Sequence, residues 1–174
     1  MKKILIVVDF QNDFVDGALG FDGAELLDSL IAKRIRTYGK GNVFFTRDTH
    51  FEDYLDTREG SHLPIVHCVK GTHGHELYGE TAKAIEEVDA VGFDKISFGL
   101  DINDEVMSQL PDEIDEIELC GLVSNICVIS NAVVFQTKFP HAQIVVDSKL
   151  TASFDSDLNA KVLDVMRGLQ IKVL

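Results

Sequence analysis

Short apolar runs rich in β-branched residues alternate with amphipathic stretches along the whole chain. This is the pattern of βα units laid on a parallel sheet. The runs predict strands near residues 3–8, 42–46, 90–94, 116–120, 143–146 and 170–174. Helical spacing predicts helices over 24–38, 76–87, 102–110, 125–139 and 157–168. Ile4-Leu5-Ile6-Val7-Val8 has no polar break, as expected of a strand covered on both faces. In the first helical stretch Leu26, Leu27, Leu30, Ile31 and Ile35 recur at helical spacing, with Lys33, Arg34 and Arg36 falling elsewhere. Pro111 and Pro140 each follow a predicted helix and close it. The expected fold class is therefore α/β: a three-layer, doubly wound, Rossmann-like fold with a six-stranded, mostly parallel sheet in strand order 3-2-1-4-5-6.

Length narrows this to one domain over 1–174, because 174 residues with 45% hydrophobic content bury roughly 70% of the unfolded surface. Charge narrows the partner. The formal net charge of −13, from 29 acidic and 16 basic residues, repels nucleic acid and anionic membrane surfaces alike. No nucleic acid and no membrane is expected, and a small-molecule substrate is. Three cysteines without paired spacing make no disulfide framework. The apolar run after Met1-Lys2-Lys3 is too short for a signal peptide, so a cytoplasmic location is expected.

Three places carry candidate chemistry. Asp9 ends the first apolar run, and an ionised carboxylate there is costly unless partnered. In open parallel sheets ligands gather outside the carboxyl ends of the strands, which puts Asp9 on the floor of that crevice. The competing reading is a turn cap, a frequent role for Asp. In "ELCGLVSNICVISNAVV", residues 118–134, a strand ends at Gly121 and a helix starts near Ser124 or Asn125, both good N-caps. Cys127 then falls in the first helical turn, where the helix dipole favours a thiolate and backbone NH groups can hold an oxyanion. A small buried hydrophobe is the alternative for Cys127, and it is the expectation for Cys68 and Cys120. Asp9 is a proton acceptor for the thiol. Lys95, just past a strand end in "VGFDKISFG", is either its positive neighbour or a solvated surface charge.

"VVDFQNDF", "FDKISFG" and "CGLVSNICV", with "KGTHGHEL" and "DSKLTASFD" in the same order, resemble the isochorismatase-like cysteine hydrolases, and among them the nicotinamidase branch. The resemblance spans essentially the full chain. It implies a catalytic triad of Asp9, Lys95 and Cys127: Asp9 takes the thiol proton, Lys95 stabilises the charged pair, and Cys127 attacks the substrate carbonyl. It also implies a cis peptide at Leu122-Val123 that turns the NH groups of Val123 and Cys127 toward the oxyanion.

The stretch 47–75 reads as irregular and holds five of the six histidines. The same resemblance implies a metal site there from Asp48, His50 and His67. Glu59 is the best fourth ligand by spacing and His62 its competitor; where many family members carry a histidine, Tyr54 stands nearby. Mixed carboxylate and imidazole donors suit Zn first, with Fe or Mn as alternatives. His73, His75 and His141 are expected at the surface. The chain has no tryptophan, and Leu63 and Pro64 occupy the neighbourhood where nicotinamidases usually carry one, leaving Phe14 as an aromatic wall of the substrate pocket. The implied activity is metal-assisted cleavage of a small carboxamide through a Cys thioester, with nicotinamide the leading substrate and another small amide the alternative. The resemblance further implies a homo-oligomer. An isochorismatase proper cleaves a vinyl ether without a cysteine nucleophile, which Cys127 argues against. A non-catalytic nucleotide-binding module would need a G-x-G-x-x-G loop after the first strand, and "DFQNDFVDG" has none.

Overall fold

The computed structural model describes every residue, Met1–Leu174. Strand β1 (Lys3–Val8) is central, flanked by β2 (Val43–Asp48) and β4 (Glu116–Leu122). Outside these lie β3 (Val91–Lys95), β5 (Gln143–Ala152) and the two-residue β6 (Lys172–Val173). All five pairings are parallel, and the sheet order is β3-β2-β1-β4-β5-β6, the order expected from the sequence.

The unbroken apolar character of β1 is explained by the two layers it serves. Ile4, Ile6 and Val8 pack with Phe135 and Met166, on the side of α6 (Ile129–Lys138) and α7 (Ser156–Gly168). Leu5 and Val7 pack with Ile31, Ile35 and Ile85, on the side of α2 (Asp28–Tyr38) and α4 (Gly79–Glu87). A strand whose successive side chains all meet a core has no position for a polar residue until it ends.

Several boundaries differ from the expected ones, each for a local reason. Strand β2 continues two residues further, through Arg47 and Asp48, because Arg47 pairs with Asp94 on the adjacent β3 at 2.7 Å. Strand β5 continues to Ala152 across a register shift opposite Leu119 and Gly121, which the polar Asp147-Ser148-Lys149 conceals in the sequence. The helix expected over 24–38 opens with a 3₁₀ turn, Ala24–Leu27, and α4 starts at Gly79 rather than 76. Its first amides, of Glu80 and Thr81, donate to the Asp28 carboxylate at 2.8 Å each, so one helix caps another. Asn103 caps the short α5 (Asp104–Gln109). Within 47–75 the chain is more ordered than expected, with a 3₁₀ turn at Tyr54–Asp56 and helix α3 (Arg58–His62). The four-residue α1 (Asn12–Val15) has no periodic signal. No helix is long and apolar enough to cross a membrane.

Candidate active site

Where β1 ends, its last residue lies level with Thr46 of β2 and Gly121 of β4, so Asp9 emerges between two neighbouring strand ends. Gly121 has φ +108°, and a Cβ there would collide with the Val8 carbonyl oxygen; only glycine lets β4 pass this close. Asp9 itself adopts φ +47°, in the left-handed region that costs most residues energy but that Asp tolerates better. This turn aims the carboxylate inward, and Asp9 is fully buried.

Inside, Asp9 Oδ1 accepts a hydrogen bond from the Thr46 hydroxyl at 2.7 Å. Its Oδ2 lies 2.7 Å from Lys95 Nζ as an ion pair, yet no donor is aligned on it as a hydrogen bond. The Lys95 ammonium also donates to Asp48 Oδ1 at 3.2 Å, to the Ser97 carbonyl at 2.9 Å and to Cys127 Sγ at 3.6 Å. Three residues distant in sequence, Asp9, Lys95 and Cys127, thus meet around one ammonium.

Cys127 lies in a single π-helical turn, Ser124–Val128, that precedes α6. The side-chain N-cap expected from Ser124 or Asn125 is not formed. Val123 occupies the N-cap position, and the Ser124 hydroxyl donates instead to Asn159 of α7 at 2.6 Å. Leu122-Val123 is a cis peptide. Burial, then the Asp9 charge, push the Cys127 thiol well above its ordinary range, against the pull of Lys95. Cys68 and Cys120 are wholly buried free cysteines with thiols likewise raised by burial.

The second half of the site hangs on Asp48. Its Oδ1 faces Lys95, while Oδ2 lies 3.0 Å from His50 Nε2 and 3.4 Å from His67 Nε2. Glu59 Oε1 stands 3.8 and 3.9 Å from the same two nitrogens. One donor atom from each of Asp48, His50, Glu59 and His67 lies within 4.8 Å of the others. The donor chemistry fits a divalent transition metal: two carboxylates, two imidazoles, and a His67 ring oriented by a 2.8 Å hydrogen bond from its Nδ1 to the Ile65 carbonyl, which directs Nε2 at the cluster. His62 is exposed and stands outside this cluster, its Nδ1 at 2.8 Å from the Arg58 carbonyl.

The two carboxylates that touch Lys95 are driven apart. Burial outweighs the other influences on Asp9 and raises its carboxyl. Burial also acts to raise Asp48, but hydrogen bonds from His50 and His67 and the charge of Lys95 together hold it well below the usual range. For Lys95, the charges of Asp9, Cys127 and Asp48 overcome burial and keep the ammonium charged. Asp9 is thus suited to take up a proton and Asp48 to remain an anion.

Both halves open on a cavity of about 640 Å³ lined by Phe14, Leu63, Phe98, Val123, Cys127 and Phe154, together with Asp48, Glu59 and His67. Pro64 is exposed and outside this lining. The expectation for His75 needs correction. It is buried, with Nε2 at 2.8 Å from the Thr49 hydroxyl, and burial lowers its pKa; it packs beneath the end of β2, and the short 3₁₀ turn that places it there leaves no periodic trace. His73 and His141 are at the surface, as expected.

The Isochorismatase domain family model matches residues 3–174. The chain belongs to the isochorismatase family. The family's PncA protein of Bacillus subtilis is 31% identical, covering 94% of this chain and 93% of that protein. The nicotinamidase/pyrazinamidase of Mycobacterium tuberculosis is 27% identical, covering 99% of this chain and 98% of its own. Among solved structures, the pyrazinamidase/nicotinamidase of Streptococcus mutans superposes with a TM-score of 0.85 at 25% identity, over 99% of both chains.

Three positioning residues of this family member, Gln11, Thr46 and Asn131, went unread in its sequence, and Tyr54 is read there only as standing where a histidine is usual. Gln11 clamps Asp48 from both sides: its Nε2 donates to the Asp48 and His75 carbonyls at 2.9 Å, and its Oε1 accepts from the Asp48 amide at 2.8 Å. Thr46 holds Asp9. Asn131, one turn beyond Cys127, donates to the Cys127 and Phe98 carbonyls and accepts from the Leu100 amide, tying the lysine loop to the cysteine helix. Tyr54 packs its ring 4.5 Å from that of His50 and 5.0 Å from that of His67, and its hydroxyl donates to the Leu63 carbonyl. A polar residue two positions after Asp9, or one helical turn after Cys127, was the available signal.

Proposed function

We propose that the protein is a cysteine amidohydrolase that converts a small carboxamide, nicotinamide first among them, to its carboxylic acid and ammonia. The observation that carries this reading is the single buried Lys95 ammonium in contact with both Asp9 and Cys127, the latter lining the cavity beside a four-donor cluster. In this reading Cys127 Sγ attacks the amide carbon as its proton passes to Asp9 Oδ2, and Lys95 holds both groups in place. The negative charge that develops on the carbonyl oxygen is met by backbone NH groups of Val123 and Cys127. Collapse breaks the C–N bond, with Asp9 returning the proton to the departing nitrogen, and leaves a thioester. A water then attacks, Asp9 takes its proton, the C–S bond breaks, and the proton returns to the thiol as the acid departs. A divalent ion, zinc by its donors, held by Asp48, His50, Glu59 and His67, would supply a Lewis acid that orients a ring nitrogen of the substrate. Phe14 and Leu63 would bracket the ring.

The homologues named nicotinamidase support this substrate class, and the three free cysteines support a reducing, cytoplasmic setting. Ammonia release is to be measured across a panel of small amides including nicotinamide and pyrazinamide, before and after metal stripping and zinc reloading. Turnover of an aromatic carboxamide, lost in Cys127→Ala, is the expected result. No ammonia from any amide by the zinc-loaded protein would overturn the reading.

A further inference from the structure

Of the five arginines, Arg34, Arg36, Arg47 and Arg167 each pair with a carboxylate. Arg58 has no carboxylate partner within salt-bridge reach, and it lines the catalytic cavity. This is a notable position in a chain of net charge −13, where an acidic neighbour is the easiest thing for an arginine to find. His62 lies one helical turn along α3 and lines the same cavity, its Nδ1 donating to the Arg58 carbonyl at 2.8 Å, so Arg58 is the cationic donor of the outer wall. The inner wall carries Cys127 and the metal-cluster carboxylates.

Size points the same way as charge. At roughly the 30 Å³ that a water molecule occupies in the liquid, the nine non-hydrogen atoms of nicotinamide fill less than half of the space, set against a cavity of about 640 Å³. The cavity wall carries a free guanidinium, and a planar guanidinium matches a carboxylate with two parallel hydrogen bonds. We propose that among ring-substituted nicotinamides the site prefers one that carries a carboxylate remote from the carboxamide, and that Arg58 selects it. This rests on the amidase reading of the same site and specifies its substrate class. An overall negative surface disfavours anions, so one unpaired cation at the entrance also serves to admit the right ones.

The test compares nicotinamide, 5-methylnicotinamide and 5-carboxynicotinamide as substrates of the zinc-loaded protein, using wild type, Arg58→Gln and Arg58→Lys. The carboxylate-bearing amide should show a higher kcat/KM than its methyl counterpart. That ratio should fall at least about fivefold in Arg58→Gln, the scale of one charge-assisted hydrogen bond at a partly exposed site, and recover in part in Arg58→Lys. A ratio unchanged by Arg58→Gln, or a wild-type preference for the methyl compound, overturns the proposal. Calorimetric binding of pyridine-3,5-dicarboxylate against nicotinate reads the same selectivity without turnover. If no amide releases ammonia but the dicarboxylate binds more tightly and loses that advantage in Arg58→Gln, the amidase reading fails while the anion site stands. Equal binding of the two acids by wild type removes the anion site.

Discussion

Lys95 and Arg34 are both cations that reach from one parallel sheet's surroundings to two carboxylates. Lys95 touches Asp9 and Asp48 at the carboxyl ends of the strands, and Arg34 touches Glu118 at 3.2 Å and Asp147 at 2.8 Å toward the opposite ends. Around Arg34 most valences are closed, although Glu118 Oε1, like Asp9 Oδ2, meets its cation as an ion pair with no aligned hydrogen-bond donor. The Tyr38 hydroxyl donates to Glu118 at 2.8 Å, and the adjoining cavity of about 550 Å³ is bordered by groups already matched, Lys3 with Glu116 and Lys2 with Asn42. Around Lys95 they are left open. The ammonium is 1% exposed and its third neighbour is a thiol, while Asp48 turns its second oxygen to two imidazoles and Glu59. Three carboxylates, Asp9, Asp48 and Glu59, stand against one ammonium, a surplus equal to the charge of one divalent ion. Buried ion pairs alone are weak indicators of function; uncompensated charge facing a cavity is a better one.

The largest separation between the two clusters should appear in activity. Asp9→Asn and Lys95→Met each remove part of the proton-transfer apparatus and should lower ammonia release at least about a hundredfold, the scale of a positioned general base, with the protein still folded. Arg34→Met should do the reverse. It should cost about 2 kcal/mol of stability, less than a fully buried pair would because Arg34 is 32% exposed, and the folded fraction should turn over within about twofold of wild type. Urea unfolding and ammonia release on the same preparations decide it. Full activity in Asp9→Asn would reduce Asp9 to a turn residue.

Metal affinity should separate them next. The surplus around Lys95 should bind about one equivalent of zinc per chain, with a loss of at least about tenfold in affinity for Glu59→Gln and more for His67→Ala. The Arg34 cluster should bind none. Elemental analysis of untagged protein gives the stoichiometry, and a trace amount unaffected by His50→Ala would remove the site.

A smaller contrast lies in thiol reactivity. Cys127 borders the cavity whereas Cys68 and Cys120 do not, so iodoacetamide should modify Cys127 first. Because its thiol is held above the ordinary value of 9.0, labelling should keep rising with pH past 9, and Lys95→Ala should slow it further. Equal, slow labelling of all three cysteines would make Cys127 a core residue.

How much of this could be read in advance depended on whether the signal was local. Strand ends are local: the apolar run to Val8 placed Asp9, and the Gly121 turn placed Cys127, because burial and turn chemistry are written in consecutive residues. The parallel sheet followed from the same alternation, and its order from the common doubly wound arrangement. What the parallel sheet brings together is not local. Lys95 reaches Asp9 across 86 positions in the chain (95 − 9), and Arg34 reaches Asp147 across 113; no periodicity encodes such partners. The same holds for Gln11, whose clamp on Asp48 spans 37 positions, and for His75, whose burial depends on a loop folding under β2. The fourth metal donor was left between Glu59 and His62 by spacing. Helix α3 turns Glu59 toward the cluster and His62 toward the outer wall.

The smallest expected effect is a difference in how the two clusters answer pH. Glu118 is raised above its ordinary 4.5, chiefly by burial, with Tyr38 and Arg34 opposing. A raised carboxyl binds its proton more readily in the folded chain, so its contribution is fully present below 4.5 and is lost as pH rises through the folded value. Relative to Glu118→Gln, wild type should therefore gain stability as pH falls from 8 toward 4.5. Asp48 is lowered, so its contribution is present above 3.8 and is lost as pH falls through its folded value. Relative to Asp48→Asn, metal-stripped wild type should lose stability on acidification below that point. Urea unfolding of wild type and both variants from pH 3 to pH 8, in chelator, reads both slopes. Slopes of the same sign would mean that the closed cluster and the open one are not electrostatically distinct, and that the surplus charge around Lys95 is an accident of burial.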